Sequence, residues 1–370
     1  MHEKKKTLLL RHQTNCFNMK NLRFIFVFIA FISVLASCST DVDMYAEYKD
    51  VPIIYAMLNA RADTNYIKIT RAFCGTNDNL INANEVALIY DSSNYPGKLD
   101  VRIIELKNNH GGPYEPTDRE FVLDTMTIHN KQEGTFYAPH QIVYYTTEQF
   151  NTGAYGSKYK YRLLIVKPDG DTVTAQTSMV GNEEFNIESA SANFQMEQTD
   201  VMGKILFRAD GSASIYDVKI QFNYREQLAG QEMKYKNVSR SFGTKPLDSY
   251  VRVEGTENLY YQEYSINWLF NALANAIGGD TIVNPNHPNV VRYYDSFVVS
   301  VSAGGDELNY YYIANQAQLS SPIALISTYT NITGGYGLFS SRTTIEKTVR
   351  LSSFALRDLF GMESWGFKDQ

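Results

Sequence analysis

The stretch KYKYRLLIVKPDGDTVTAQTSMV, residues 158–180, constrains the fold more than any other part of the chain. Strand-forming residues lie on both sides of Asp169-Gly170, a pair that supplies the positive-φ turn of a tight hairpin. Several spaced strand patterns precede this hairpin. That order predicts an immunoglobulin-like or fibronectin-like β-sandwich in the first half of the chain.

Composition agrees with strands and turns, since the chain has 27 Tyr and 23 Gly but only 10 Pro. Apolar and polar residues alternate over short runs bounded by turn residues. The strands predicted in the first half are Pro52–Asn59, Tyr66–Ala72, Leu99–Leu106, Phe121–Ile128, Gln141–Thr146 and Lys158–Val166.

The second half predicts a further β-rich domain with two or three short helices. Ser214–Arg225, Met233–Phe242 and Phe297–Ala303 alternate as strands, and Thr343–Leu351 does so after a glycine-rich loop. A helix near 265–277 is predicted by Ser265 as its cap and Gly278 at its end, and a second near 353–360 ends at Gly361.

The N-terminal region predicts export. Lys20 and Arg23 precede thirteen mostly apolar residues, Phe24–Ala36, a run too short to span a bilayer but typical of a signal peptide. Small residues then lead directly into Cys38, the lipobox pattern in which that cysteine receives lipid such as palmitate. We therefore expect translation to start at Met19 and residues 1–37 to be removed.

This assignment divides the chain into a leader (1–37), a lipidated tether (38–50), an Ig-like sandwich (51–182) and a second β-rich domain (183–370). Acidic residues soon after Cys38, Asp41 and Asp43, resemble the signal that displays Bacteroidetes lipoproteins on the outer face of the outer membrane. The expected localisation is the outer membrane, lipid-anchored, at the cell surface.

Charge and cysteine content exclude several classes of function. Removing residues 1–37 takes away six basic residues and one acidic residue, so the remainder is more acidic than the whole-chain net charge of −6. A negative surface repels phosphate backbones, which argues against nucleic acid as a partner. Cys74 is the other cysteine left beside Cys38, so the sequence supports neither a disulfide framework nor a thiolate metal site.

No catalytic or metal-binding motif stands out. His110, His129, His140 and His287 show no ligand spacing with each other or with carboxylates, so neither a metal nor a cofactor is predicted. The loop NITGGYGLFSSR, Asn331–Arg342, lacks the Lys-Ser/Thr of a phosphate-binding loop. We interpret it as a tight glycine-bearing crossing with Phe339 directed inward.

Ligand or partner contacts are instead predicted at exposed side chains. Tyr336 and Arg342 are expected to point outward from the glycine-rich loop. Tyrosine pairs and triples, read as strand residues, should each place one ring outward, which adds Tyr293 and Tyr311 to the predicted contacts. Asp-Thr-aliphatic/Met triplets resemble O-glycosylation acceptors of the Bacteroidetes and mark Thr125, Thr172 and Thr281.

Together with the lipobox, VPIIYAMLNARADTNYIKITRAFCG and NITGGYGLFSSR carry a family resemblance. The chain resembles an uncharacterised family of Bacteroidetes outer-membrane lipoproteins, with two β-rich modules and a domain of unknown function. Its shared features are a V-P-hydrophobic-Y-x-x-L strand, a Y-I-K-I-x-R-A-F strand and a late Gly-Gly-x-Gly-x-Phe-x-Ser-Arg loop, from about Val51 to Arg342. The resemblance supplies no catalytic residues and implies a role beside TonB-dependent transporters.

Three functions remain open at this point. The first is a non-enzymatic surface lipoprotein that binds a ligand or partner, such as a glycan or a TonB-dependent transporter, as an accessory to nutrient uptake. The second is a fimbrial or adhesin-like subunit, which would require cleavage after Arg61 or Arg71. The third is a surface glycan hydrolase, whose two carboxylates one sequence cannot reveal.

Overall fold

Strands dominate the structure, as the alternating sequence pattern predicts. The protein is described by a computed structural model that covers residues 50–72, 83–109, 111–134, 137–138, 140–153, 157–190, 202–278, 290–320, 329–361 and 365–369. The predicted signal peptide (1–37), Cys38, Cys74 and Thr281 lie outside these residues.

The elements of the first half follow the predicted order. They are β1 (Pro52–Leu58), β2 (Asn65–Arg71), α1 (Ala83–Ala87), α2 (Tyr90–Ser93), β3 (Asp100–Asn109), β4 (Tyr114–Val122), β5 (Asp124–Ile128), β6 (Gln141–Thr146), β7 (Ser157–Val166) and β8 (Thr172–Ser178). The hairpin between β7 and β8 turns at Gly170, whose φ is +87°.

The second half adds further strands and three longer helices. Its elements are β9 (Asn186–Ala190), β10 (Met202–Arg208), β11 (Ile215–Leu228), β12 (Lys234–Ser241), β13 (Lys245–Pro246), β14 (Val251–Arg252), β15 (Leu259–Ser265), α3 (Ile266–Gly278), β16 (Val290–Gly304), α4 (Asp306–Ser320), β17 (Tyr336–Val349), α5 (Ser353–Gly361) and β18 (Phe367–Lys368). A 3₁₀ turn is formed at Leu247–Ser249.

The mainly β class and the helices α3 and α5 confirm the sequence-based predictions, but three details were wrong. The predicted strand Phe121–Ile128 is two strands, because the chain passes at Leu123 from the sheet of β3 to the sheet of β6. The strand predicted from Thr343 begins at Tyr336, within the glycine-rich loop. Tyr310, Tyr311 and Tyr312 lie in helix α4 and not in a strand.

Two sheets enclose the first hydrophobic core. One contains the start of β17 followed by β1, β2, β6 and β5, and the other has the order β4-β3-β7-β8. Alternate residues of both sheets, among them Ile54, Ile67, Ile103 and Leu163, are buried together. We call this part the N-terminal sandwich.

A second core lies between the sheet β12-β11-β16-β17 and the sheet β14-β15-β10-β9. Strand β11 alternates as predicted, with Val218, Ile220 and Phe222 fully buried. Helix α3 adds Leu269, Leu273 and Ile277, and α5 adds Ala355 and Leu359. We call this part the C-terminal sandwich.

Strand β17 belongs to both sandwiches. Tyr336–Ser341 runs parallel to β1, and Arg342–Val349 runs antiparallel to β16. The two cores divide between Met179 and Val180, yet the N-terminal core also takes Ile332 and Phe339 from the end of the chain. Residues from Lys49 onward therefore cluster as one compact unit. Within the residues described, no helix has both the length and the apolar character that crossing a bilayer requires.

Candidate functional site

The glycines of Asn331–Arg342 allow β17 and β1 to lie side by side. A Cβ atom on Gly337 would lie 1.9 Å from the carbonyl oxygen of Ile54, and φ at Gly337 is +116°. A Cβ atom on Gly335 would lie 2.6 Å from the carbonyl oxygen of Pro52. Glycine at these two positions therefore allows the backbones of β17 and β1 to approach each other closely. Phe339, which follows them in the same strand, is fully buried.

The hydroxyl groups that follow the glycines are structural. Ser341 Oγ donates to the carbonyl oxygen of Ser178 at 2.6 Å and accepts from the backbone N–H of Val180 at 3.1 Å. Thr343 Oγ1 lies 3.0 Å from the carbonyl oxygen of Val180, to which it donates. Both side chains are fully buried. They satisfy backbone groups at the point where the two sandwiches join.

Two of the predicted contact residues, Tyr336 and Tyr311, both adjoin strand β1. Tyr336 is exposed and is the register partner of Ile53 on β1. Tyr311, on α4, shares a side-chain hydrogen bond with Tyr55 of β1; burial, followed by the proximity of Tyr311, raises the pKa of Tyr55.

The other two predicted contacts, Arg342 and Tyr293, lie elsewhere. Arg342 is exposed and lines a smaller hollow with Asp217 and other residues near the end of β16. Tyr293 lies on β16 in the C-terminal sandwich, where the guanidinium carbon of Arg225 is 5.7 Å from its ring centre. The four side chains thus do not form one surface.

A cleft of about 530 Å³ opens on the outer face of β1 and β2. Its floor consists of two cross-strand pairs, Tyr55 with Lys68 and Ile53 with Thr70. The walls come from the end of β2, the end of α2 with the residue after it, and the segment that joins β5 to β6 with the first residue of β6. They are Arg71, Ala72, Ser93, Asn94, Lys131, Tyr137, His140 and Gln141.

Lys68 and Arg71 bring positive charge into this cleft. Lys68 Nζ donates to the carbonyl oxygen of Ile142 at 3.0 Å, and Arg71 Nη2 donates to the carbonyl oxygen of Asp91 at 2.9 Å. Arg71 Nε is buried without a hydrogen-bond partner. In the part of the chain that the structure describes, neither cation forms an ion pair with a carboxylate.

A third cation, Lys131, lies close enough to affect Lys68. Its Nζ donates to the carbonyl oxygen of Tyr137 at 2.5 Å. Burial, together with repulsion from Lys131, lowers the pKa of Lys68 from 10.5 to about 8. Among the described residues, no carboxylate neutralises the positive charge of Lys68.

The sequence reasoning missed Lys68 and Arg71 as site residues, although both belong to the YIKITRAF stretch that carries the family resemblance. The available signal was alternation along β2. Ile67 and Ile69 are buried, so Lys68 and Thr70 must share the opposite face.

The fold also brings together two histidines that are remote in sequence. β5 pairs with β6, so His129 and His140 flank the same hairpin and their ring centres are 4.4 Å apart. Among the described residues, no group of three or more His, Cys, Asp or Glu side chains is placed to hold a metal ion.

The predicted glycosylation sites differ in accessibility. Thr172 is exposed at the start of β8. Thr125 is half-buried on β5, and its backbone N–H donates to Asp124 Oδ1 at 2.8 Å. A glycan would therefore meet less steric hindrance at Thr172, and modification of either residue stays a prediction.

Comparison with known proteins gave no match, either to a family model or to a curated sequence. The resemblance to Bacteroidetes lipoproteins thus rests on the sequence motifs quoted above and stays an expectation. Function has to be inferred from the geometry and chemistry of the cleft.

Proposed function

We propose that this chain is a non-enzymatic lipoprotein of the outer membrane, displayed at the cell surface, that holds a ligand in the cleft above β1 and β2. The observation that carries the proposal is the cleft itself. Its volume of about 530 Å³ lies within the roughly 300–1,000 Å³ of small-molecule sites. Polar and cationic side chains line most of it, and Ile53, Tyr55, Ala72 and Tyr137 add apolar and aromatic surface.

The chemistry of the lining favours binding over glycan hydrolysis. Glycosidases of the common kind need two carboxyl groups that flank the scissile bond. The described residues that line the cleft include hydroxyl, amide, imidazole and cationic groups but no Asp or Glu. This lining can recognise a ligand, and it offers no pair of carboxylates for acid–base chemistry.

In this proposal the lipid on Cys38 anchors the chain, residues 38–50 form a short tether, and the N-terminal sandwich presents the cleft. The protein then captures a ligand as an accessory to a TonB-dependent transporter. Lys68 is placed to interact with the ligand, while Tyr311 and Tyr336 extend the contact surface beside it.

Anchoring can be tested by labelling cells that express the chain with an alkynyl palmitate analogue. Cys38→Ser should abolish the label, whereas Cys74→Ser, the matched control, should keep it. Protease added to intact cells should digest the labelled protein. Equal labelling of both variants, or protection from protease until the cells are lysed, would contradict the surface-lipoprotein proposal.

Ligand capture can be tested with a cleft-filling variant. Thr70→Trp places a large ring on the floor of the cleft, and Thr127→Trp places the same ring at an exposed position on β5 outside it. Glycans and outer-membrane proteins retained by the wild type and by Thr127→Trp should be lost from Thr70→Trp. Identical retention by all three proteins would show that the cleft is not the binding site.

An alternative is a fimbrial or adhesin-like subunit, and the position of β1 favours it specifically. β1 lies within its sheet, parallel to β17 on one side and antiparallel to β2 on the other. Cleavage after the exposed Arg61, in the turn after β1, would free this strand and leave two unpaired edges for a donor strand. A mature N-terminus at Ala62 would favour the subunit, and one at lipidated Cys38 would favour the binding lipoprotein.

A further inference from the structure

The charged side chains in the cleft are positive, whereas the net charge of the chain is negative. The whole sequence has 40 acidic and 34 basic residues, so an average surface should be negative. The described residues that line the cleft instead include Lys68, Arg71 and Lys131 and no Asp or Glu. A group of like charges in a partly buried place is unfavourable unless an opposite charge joins them.

The cationic side chains retain hydrogen-bonding capacity for a ligand. An ammonium group has three N–H donors, and Lys68 uses one of them toward Ile142. The guanidinium of Arg71 has five N–H donors, and its Nη2 donates to the carbonyl oxygen of Asp91. Guanidinium and ammonium groups together match the geometry of a carboxylate.

The remaining lining matches a sugar ring more closely than a bare ion. The rings of Tyr55 and Tyr137 supply apolar faces, while Thr70, Ser93 and Gln141 supply hydroxyl and amide groups. A small inorganic anion would use only the cations, and it would leave most of a cleft of about 530 Å³ unfilled. An oligosaccharide fills such a volume and engages both kinds of wall.

From these features we infer that the cleft binds an acidic oligosaccharide, with the carboxylate between Lys68 and Arg71 and a sugar ring against Tyr55. This inference rests on the proposed function, since it names the ligand class of the same cleft. Uronic acids and sialic acids share the required chemistry.

The test measures affinity of the purified lipoprotein by calorimetry for trigalacturonate, for its methyl ester and for sialyllactose, with lactose as the neutral sugar. The ester keeps every sugar ring and removes the charge. At least one acidic sugar should bind, the ester or lactose should bind about tenfold more weakly or not at all, and added salt should weaken the acidic complex. Whichever acidic sugar binds identifies the source of the carboxylate.

Lys68→Gln should weaken binding of the acidic sugar about tenfold, while Lys158→Gln, an exposed lysine on β7, should leave it unchanged. Thermal melting of both variants checks that they are folded. Equal affinity for ester and acid, an unaffected Lys68→Gln variant, or binding of neutral sugars alone would overturn the inference. The proposed function would survive each of these results if Thr70→Trp still abolished capture of another ligand.

Discussion

Single residues decide whether β17 can lie against β1, and Gly337 is the clearest case. Any side chain there would overlap the carbonyl of Ile54, and the positive φ adds strain for every other residue type. We expect Gly337→Ala to lower the free energy of unfolding by roughly 3–5 kcal/mol or to prevent folding. Chemical denaturation measures this change.

Gly97→Ala is the matched control, because no heavy atom lies within 4 Å of the position that its Cβ would occupy. Its effect should stay within about 0.5 kcal/mol. If Gly337→Ala were equally harmless, the backbone approach of β17 to β1 would have to differ from the structure described.

Lys68 gives a second prediction at the residue scale, one that concerns pH. Its pKa is about 8 in the folded protein and 10.5 ordinarily. Below pH 8 the lysine is therefore charged in the folded state, and burial and repulsion from Lys131 make this charge unfavourable for folding. This cost is lost as pH rises from 8 to 10.5. Lys68→Met should therefore unfold at higher denaturant than wild type at pH 7, by about 1 kcal/mol because solvent screens the site.

The advantage of Lys68→Met should shrink steadily between pH 8 and pH 10.5, when the wild-type lysine becomes neutral. Lys158→Met, on the exposed face of β7, should show no such trend. A pH-independent gain from Lys68→Met would mean that side-chain volume, and not charge, is responsible. Arg71, His140 and Tyr55 also line this cleft, so measurements need the same buffer series for every variant.

At the scale of secondary structure elements, β17 is held by buried hydroxyl groups as well as by backbone pairing. Thr343 donates to the carbonyl of Val180 and lies 3.1 Å from Asn59 Oδ1. Thr343→Val keeps the shape but leaves the carbonyl of Val180 without this donor, which should cost about 1–3 kcal/mol in urea denaturation, while Asn59 Oδ1 still accepts from the backbone N–H of Arg61. Thr348→Val, exposed on the same strand, should cost little, and equal effects would contradict this role for Thr343.

Elements with a clear period could be predicted from the sequence. Strand β11 alternates from Tyr216 to Glu226, and the sequence of helix α3 shows Ser265 as a predicted cap, an apolar face and a terminal glycine. Helix α4 was missed because its three consecutive tyrosines spread around the helix and give no apolar face, although Asp306 and Glu307 in its first turn favour a helix N-terminus.

The cleft could not be predicted in the same way. Its lining residues come from β1, from β2, from the end of α2 with the residue after it, and from the segment between β5 and β6 with the first residue of β6. Only strand pairing and sheet order bring these four segments together, and a local sequence pattern predicts neither of them. The apolar pattern of Ile67 and Ile69 could have indicated that Lys68 points outward. No local sequence pattern indicates that Lys131 lies close to Lys68.

At the scale of the whole molecule, the shared strand couples the two sandwiches. Phe339 is fully buried in the N-terminal core, while the second half of the same strand completes the sheet of the C-terminal sandwich. Both tryptophans of the chain, Trp268 and Trp365, belong to the C-terminal sandwich. Their fluorescence therefore reports on one sandwich while substitutions are made in the other.

Phe339→Ala should shift the tryptophan transition to lower denaturant, because removing a buried phenylalanine costs about 3–5 kcal/mol and β17 transmits the loss to both cores. Phe222→Ala, within the C-terminal core, should shift it by a similar amount, and Phe354→Ala, half-exposed on α5, should shift it little. Far-UV circular dichroism should follow the same single transition in every variant. If Phe339→Ala instead left tryptophan fluorescence unchanged and split the circular dichroism curve into two steps, the sandwiches would unfold independently despite their common strand.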